Sequence, residues 1–376
     1  MNANQPESWV PVARPSLPDA NALLPYLRRI DATGWYSNHG PLEEELRTRV
    51  SATFGYGADQ VVTASSGTAG LIATLQEVTS ELGRERRKVI LPDFTFVATG
   101  MAVLQAGFIP VLAPVCSTDW QLQPDTVRNT FDLDDVAAVI PVGAFGAAVD
   151  QLSWQEFRRQ TGVQVVFDLA PGWECAADSP GTVLGEIPVI FSMHATKVLT
   201  SGEGGLVVCS DEEVAGRIEQ RLNFGFEKGG LSSLKGFNGK LSEYHCAVAL
   251  ASLDVLAQTL RSFQRVASVY RREIASADTS RLVTSPRTAS CYALLAAPSS
   301  TVRDRWAEEL ALARIETRSW YRDGLSSNSI FSGVDRPDQE PPCVLGLPMS
   351  VRFSDEVAER VASAVNDVLS KVLENR

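Results

Sequence analysis

The 376-residue sequence predicts an α/β fold, a mostly parallel sheet flanked by helices, followed by a smaller α+β domain. Apolar runs alternate with amphipathic segments over residues 40–210, the β-α-β-α rhythm of a parallel sheet. A long helical pattern follows over residues 243–275, with Val248, Leu250, Leu253, Leu256, Leu260 and Phe263 as its apolar stripe. Beyond it the texture changes to Pro-rich turns at Pro286, Pro298 and 337–342, before a last helix over 354–373. These observations divide the chain into residues 1–255 and 256–376.

The elements run in order. Residues 42–54 have helical periodicity, 61–64 form a short strand and 67–82 a helix. Strand 89–91 leads into helix 95–106, then strand 109–112, strand 136–142, helix 152–160 and strand 163–169. Apolar strands 187–191 and 206–209 enclose a short polar segment. Ligands of such sheets bind outside the carboxyl ends of the strands, so the residues just past those ends are the ones to read for chemistry.

Composition narrows the function. At 44% hydrophobic and 21% charged the chain is ordinary globular material, long enough for a sizeable core. No apolar stretch approaches the roughly 18 residues of a membrane span. Residues 1–16 are polar and Pro-rich rather than signal-like, so a cytoplasmic protein is expected. Six scattered cysteines read as reduced thiols, and the three histidines, His39, His194 and His245, speak against a metal site. A net charge of −11 disfavours nucleic acid, and the basic run Arg84-Glu-Arg-Arg-Lys88 reads as a solvated loop. An acidic protein can still bind phosphate through backbone N–H groups.

Lys197 lies in Phe191-Ser-Met-His-Ala-Thr-Lys-Val-Leu-Thr-Ser-Gly-Glu-Gly-Gly205, between two apolar strands. An amine held away from water is freed as a nucleophile, as an aldehyde cofactor requires for a Schiff base. Alone, the segment reads equally as a surface lysine before a β-turn. Ala64-Ser-Ser-Gly-Thr-Ala-Gly70 joins a strand to a helix, where small residues let backbone N–H groups approach an anion. Its plain alternative is a helix cap. It matches neither a Walker loop nor Gly-x-Gly-x-x-Gly, which weighs against a nicotinamide oxidoreductase. Asp168 ends an apolar strand and can pair with a protonated ring nitrogen, or simply cap a turn. Phe96, in Pro92-Asp-Phe-Thr-Phe-Val-Ala-Thr99, can stack on a flat heterocycle or pack inside a helix. Asn238, in Leu234-Lys-Gly-Phe-Asn-Gly-Lys-Leu-Ser-Glu243, can donate to a phosphate or shape a turn.

Together these segments are far more specific than any one. Their order and contexts resemble the DegT/DnrJ/EryC1/StrS family of sugar aminotransferases, pyridoxal-phosphate (PLP) enzymes of fold type I. The resemblance covers nearly the whole chain, from Gly34-Trp-Tyr-Ser-Asn-His-Gly-Pro41 through Ala106-Gly-Phe-Ile-Pro-Val111 to Leu347-Pro-Met349. It implies a large domain with a mostly parallel sheet of seven-stranded type. By position, it implies that Lys197 forms the Schiff base and shuttles the proton, and that Asp168 pairs with the pyridine nitrogen. Gly67, Thr68 and Ser192 would hold the phosphate, and Phe96 would stack on the ring. Asn238 would reach the phosphate of a neighbouring subunit, which implies a homodimer with shared active sites. The implied reaction moves an amino group from L-glutamate, through pyridoxamine phosphate, to a nucleotide-linked keto-sugar, by default a 4-keto-6-deoxyhexose.

Three positions depart from the family pattern. Pro171 stands where Gln or His is common, Lys240 where Arg is common, and Ser326 where His is usual. The cofactor-holding positions are intact while substrate-facing ones vary. A PLP-dependent sugar dehydratase is an alternative, although such enzymes carry histidine in place of Lys197. A non-catalytic regulator or scaffold is another, against which the complete set of Lys197, Asp168 and Ser192 stands.

Overall fold

The structure is a computed structural model that describes residues 9–83, 85–227, 229–274, 281–336 and 338–373. Arg84 of the basic run, residue 275 at the expected end of the long helix, and Pro337 lie outside the described residues. The strands are β1 Val61–Ala64, β2 Lys88–Pro92, β3 Ile109–Ala113, β4 Val136–Val139, β5 Gln164–Val165, β6 Phe167–Asp168, β7 Val189–Ser192, β8 Gly205–Val208, β9 Arg281–Val283, β10 Leu294–Ala296, β11 Arg318–Trp320 and β12 Val344–Gly346. The helices are α1 Ala20–Thr33, α2 Pro41–Phe54, α3 Gly67–Val78, α4 Val97–Ala106, α5 Pro124–Thr130, α6 Gln151–Thr161, α7 Trp173–Asp178, α8 Pro180–Val183, α9 Glu212–Leu222, α10 Glu243–Glu273, α11 Ser300–Leu312 and α12 Asp355–Leu373.

The chain forms two compact units. The larger contains residues 17–256 and 324–341. Its sheet runs β1-β8-β7-β6 on one side and β5-β4-β2-β3 on the other. β5 and β6 are halves of one extended run that stitches these sides together. Val166 N–H donates to the Val139 carbonyl at 3.1 Å and Asp168 N–H to Pro141 at 3.1 Å on one flank. On the other flank Phe167 N–H reaches Pro188 at 3.0 Å and Leu169 N–H reaches Ile190 at 2.9 Å. Counted as one strand, this run completes a seven-stranded sheet in which β8 alone is antiparallel to its neighbours. Strands and packed helices supply its core, including Val62, Ile72, Leu75, Leu91, Val103, Ile190 and Val207. The expected strand over 136–142 loses regular pairing after Val139, because Pro141 has no N–H to give to a ladder. Helix α3 stops four residues before the expected end, where the Thr79 hydroxyl turns back onto the Leu75 carbonyl at 2.6 Å.

Residues 324–341 belong with the larger unit although they follow residue 255, because Leu325 and Phe331 are buried in its core and Leu325 N–H bonds the Asp93 carbonyl at 2.8 Å. The smaller unit contains the described parts of 9–16, 257–323 and 342–373. Its sheet is antiparallel, in the order β11-β12-β10-β9, over a core that includes Tyr270, Trp306, Leu345 and Val365. Residues 9–16 join it through Val10 N–H to Arg314 at 2.9 Å and Met349 N–H to Val12 at 3.0 Å. Helix α10 begins in one unit and ends in the other. It is long and apolar enough to cross a membrane by length and composition, unlike any stretch expected from the sequence. Cys246, Ala249, Leu250, Val266, Ala267 and Tyr270 along it are buried within the protein.

Candidate functional site

β1, β2, β4, β6 and β7 run in one direction, so the segments leaving them collect along a single sheet edge. Past β1, Ser66 is extended and caps α3, its Oγ accepting the Ala69 N–H at 3.1 Å. Gly67 opens the helix against Ser192 at the end of β7. A Cβ placed at Gly67 would sit 3.3 Å from the Ser192 Cβ. Gly205, at the start of β8, lies under the same turn, and its Cβ would come within 2.5 Å of the Ser66 carbonyl carbon. These two glycines therefore let the helix start press onto the strands. The first-turn N–H groups of Gly67 and half-buried Thr68 have no acceptor within their own helix. Ser192 Oγ accepts the His194 N–H at 3.2 Å, a bond that leaves its own hydrogen to donate. Two helix N–H groups and a hydroxyl in a glycine cradle suit a phosphate.

Asp168 ends β6 at 6% exposure. Its Oδ2 accepts the Thr99 hydroxyl at 2.8 Å and its Oδ1 the Ala170 N–H at 3.1 Å. Burial pushes its pKa up, while the Thr99 hydroxyl, the Ala170 N–H and the charge of Lys197 pull it back. Lys197 is half-buried in the turn after β7, its N–H on the His194 carbonyl at 2.9 Å. Met193 fixes that loop by bonding Gly204 and Ser201 through its N–H and carbonyl, each at 2.8 Å. The charge of Lys197 thus reaches Asp168 past the ends of β7 and β6, along the sheet edge that also carries Gly67 and Ser192.

Phe96 is 54% exposed as the extended residue just before α4, which removes the alternative of helix core packing. Asn238 is exposed, in a bridge with Asn223, and the neighbouring Gly239 carbonyl accepts the Ser65 N–H at 2.7 Å. Among the departures from the family pattern, Pro171 is buried just past Asp168. Lys240 Nζ donates to Asn223 at 2.8 Å and lies 4.8 Å from the Phe224 ring centroid, and burial lowers its pKa. Ser326 is bound to Asp93, its N–H at 2.8 Å from Oδ1 and its Oγ at 3.0 Å from Oδ2.

Sequence reasoning missed Thr99 and Asp93, although both lie in the segment quoted for Phe96. The available signal was the pair Thr95 and Thr99, one helical turn apart at a strand-to-helix junction. It also missed that His39, Glu43 and Glu219 converge, with ligand atoms within 4.8 Å of one another. Their charges are already engaged: Arg47 bonds Glu219 at 2.7 Å, and the Thr63 hydroxyl bonds Glu43 at 2.5 Å.

The profile of the DegT/DnrJ/EryC1/StrS aminotransferase family matches residues 19–366. Protein Rv3402c of Mycobacterium tuberculosis is 28% identical over 373 residues, covering 95% of this chain and 90% of its own length. The dTDP-4-amino-4,6-dideoxy-D-glucose transaminase of Shigella dysenteriae is 27% identical over 265 residues, 70% of each chain. The crystal structure of DesI, solved with its TDP-sugar product, superposes with a TM-score of 0.86 at 28% identity, covering 98% of this chain and 96% of that one. With matching sequence and fold, the chain belongs to the DegT/DnrJ/EryC1/StrS aminotransferase family and is a PLP-dependent aminotransferase of fold type I.

Proposed function

We propose that the protein transfers an amino group from L-glutamate to a nucleotide-linked keto-sugar, by default a 4-keto-6-deoxyhexose. The observation that carries this reading is the convergence of Lys197, Asp168 and the Gly67–Ser192 cradle on one sheet edge. Bound PLP supplies an electron sink that weakens the donor's Cα–H bond, and as pyridoxamine phosphate it stores the amino group between half-reactions. Lys197 Nζ would hold the cofactor aldehyde and, when displaced by the donor amine, would take and return the proton. The Asp168 carboxylate would pair with the ring nitrogen. The N–H groups of Gly67 and Thr68 and the Ser192 hydroxyl would hold the phosphate, and the Phe96 ring would stack on the heterocycle. Asn238, exposed on its bridge, would reach the phosphate of a second copy, as the family resemblance implies, in a homodimer with shared sites. The sugar and nucleotide are supported by the names of the Shigella enzyme and of the DesI product complex. Six free thiols suit a cytoplasmic enzyme.

The test loads the protein with PLP, reduces it with borohydride and locates the pyridoxyl group by peptide mass spectrometry. The group is expected on Lys197. Turnover is then followed with L-glutamate and dTDP-4-keto-6-deoxyglucose. Lys197→Ala is expected to lose the label and at least about 10²-fold in rate. Full turnover in that variant sinks the assignment.

A further inference from the structure

Burial favours the neutral form of Asp168, and a neutral carboxylic acid cannot balance a pyridinium. The side-chain hydrogen bond to it comes from the first turn of α4. Thr99 Oγ1, on a residue 1% exposed, lies 2.8 Å from Asp168 Oδ2. The same oxygen lies 2.9 Å from Thr95 Oγ1, also buried. A hydroxyl has one hydrogen. If Thr99 gave it to Thr95, a lone pair would face the carboxylate. The lower-energy order is therefore Thr95 to Thr99 to Asp168, each O–H donating onward. The start of α4 adds a favourable partial positive charge. Lys197, from the loop after β7, is the charged group acting on the same carboxyl.

We propose that Thr99, oriented by Thr95, is a positioning residue that keeps Asp168 ionised and aimed at the cofactor's ring nitrogen. The proposal rests on the PLP reading above. That first turn also presents Phe96 at its outer end, where the Thr99 N–H bonds the Phe96 carbonyl at 3.1 Å. One helix start would thus set both the residue stacking on the ring and the partner of its nitrogen.

Thr99→Val keeps the shape and removes the donor; Thr99→Ser restores the donor. Binding of PLP to apo-protein is measured at equilibrium, with the pH profile, kcat and KM of the glutamate half-reaction. Thr99→Val is expected to bind PLP about tenfold more weakly. Its kcat falls more than KM changes, and the acid limb of its profile moves to higher pH. Thr99→Ser is expected to return both toward wild type. If Thr99→Val is misfolded by circular dichroism, Thr95→Val is used and should shift PLP affinity and profile in the same direction by less. A folded valine variant with wild-type affinity and profile overturns the positioning role alone. Wild-type protein that takes up no PLP overturns the functional reading, and the proposal with it.

Discussion

Removing the charge of Asp168 should separate its cost to the fold from its use in the site. Burial raises its folded pKa above the ordinary carboxylate value of 3.8. Between those two values the folded state holds more protons than the unfolded one. Stability therefore falls as pH rises through that window and stays lower above it. An asparagine can donate Nδ2–H to Thr99 Oγ1 while the Thr99 hydrogen turns to Thr95, so no polar atom is orphaned. Apo Asp168→Asn is expected to be more stable than wild type at pH 7, with the gap closing below pH about 4, and to lose transamination. Denaturant titrations across that range check the sign; a variant less stable at pH 7 contradicts it. At this scale the chemical types were readable, because a lysine between strands and an aspartate at a strand end are local signals. Thr99 left only the local mark of a threonine pair one turn apart, and its partner Asp168 lies 69 residues away in sequence.

Helix α2 starts with a signal that is local and a cap that is not. Pro41 at its first position suits a helix start, and Gly40 leaves room that a Cβ would take from Glu243, only 2.7 Å from its Cδ. Gly40 has no side chain with which to cap. The buried Glu243 carboxylate, at the start of α10, accepts the Leu42 N–H at 2.8 Å and the Glu43 N–H at 2.9 Å. No sequence window contains both partners, which lie 200 and 201 positions apart. Glu243→Ala leaves two buried N–H groups unpaired, at about 1–3 kcal/mol each. The expected loss of roughly 2–6 kcal/mol appears as a lower midpoint in urea; a midpoint equal to wild type contradicts it. Helix α1 escaped the sequence reading because Pro25 lies within it. Helix α9 escaped because Ile218 and Leu222 are separated by charged and polar residues rather than forming a run.

Across the molecule, the alternation of apolar runs made the parallel sheet legible, because each strand buries both faces and reads as a block. The smaller unit was less so. Its strands are three residues long, too short for a period to register. Residues 324–341 return to the larger unit through Leu325 and Phe331, two apolar residues with no local pattern to announce where they pack. The run 164–168 has a further consequence. It is hydrogen-bonded on both flanks in the middle of the seven strands, and Asp168 is its final residue. Amides so placed exchange with solvent only when the whole unit opens. Native-state deuterium exchange is therefore expected to leave Val166 to Leu169 among the slowest amides, with opening free energies equal to global unfolding. Faster exchange there than in α3 contradicts this. The carboxylate proposed to read the charge of the cofactor ring is then anchored in the part of the protein that comes apart last.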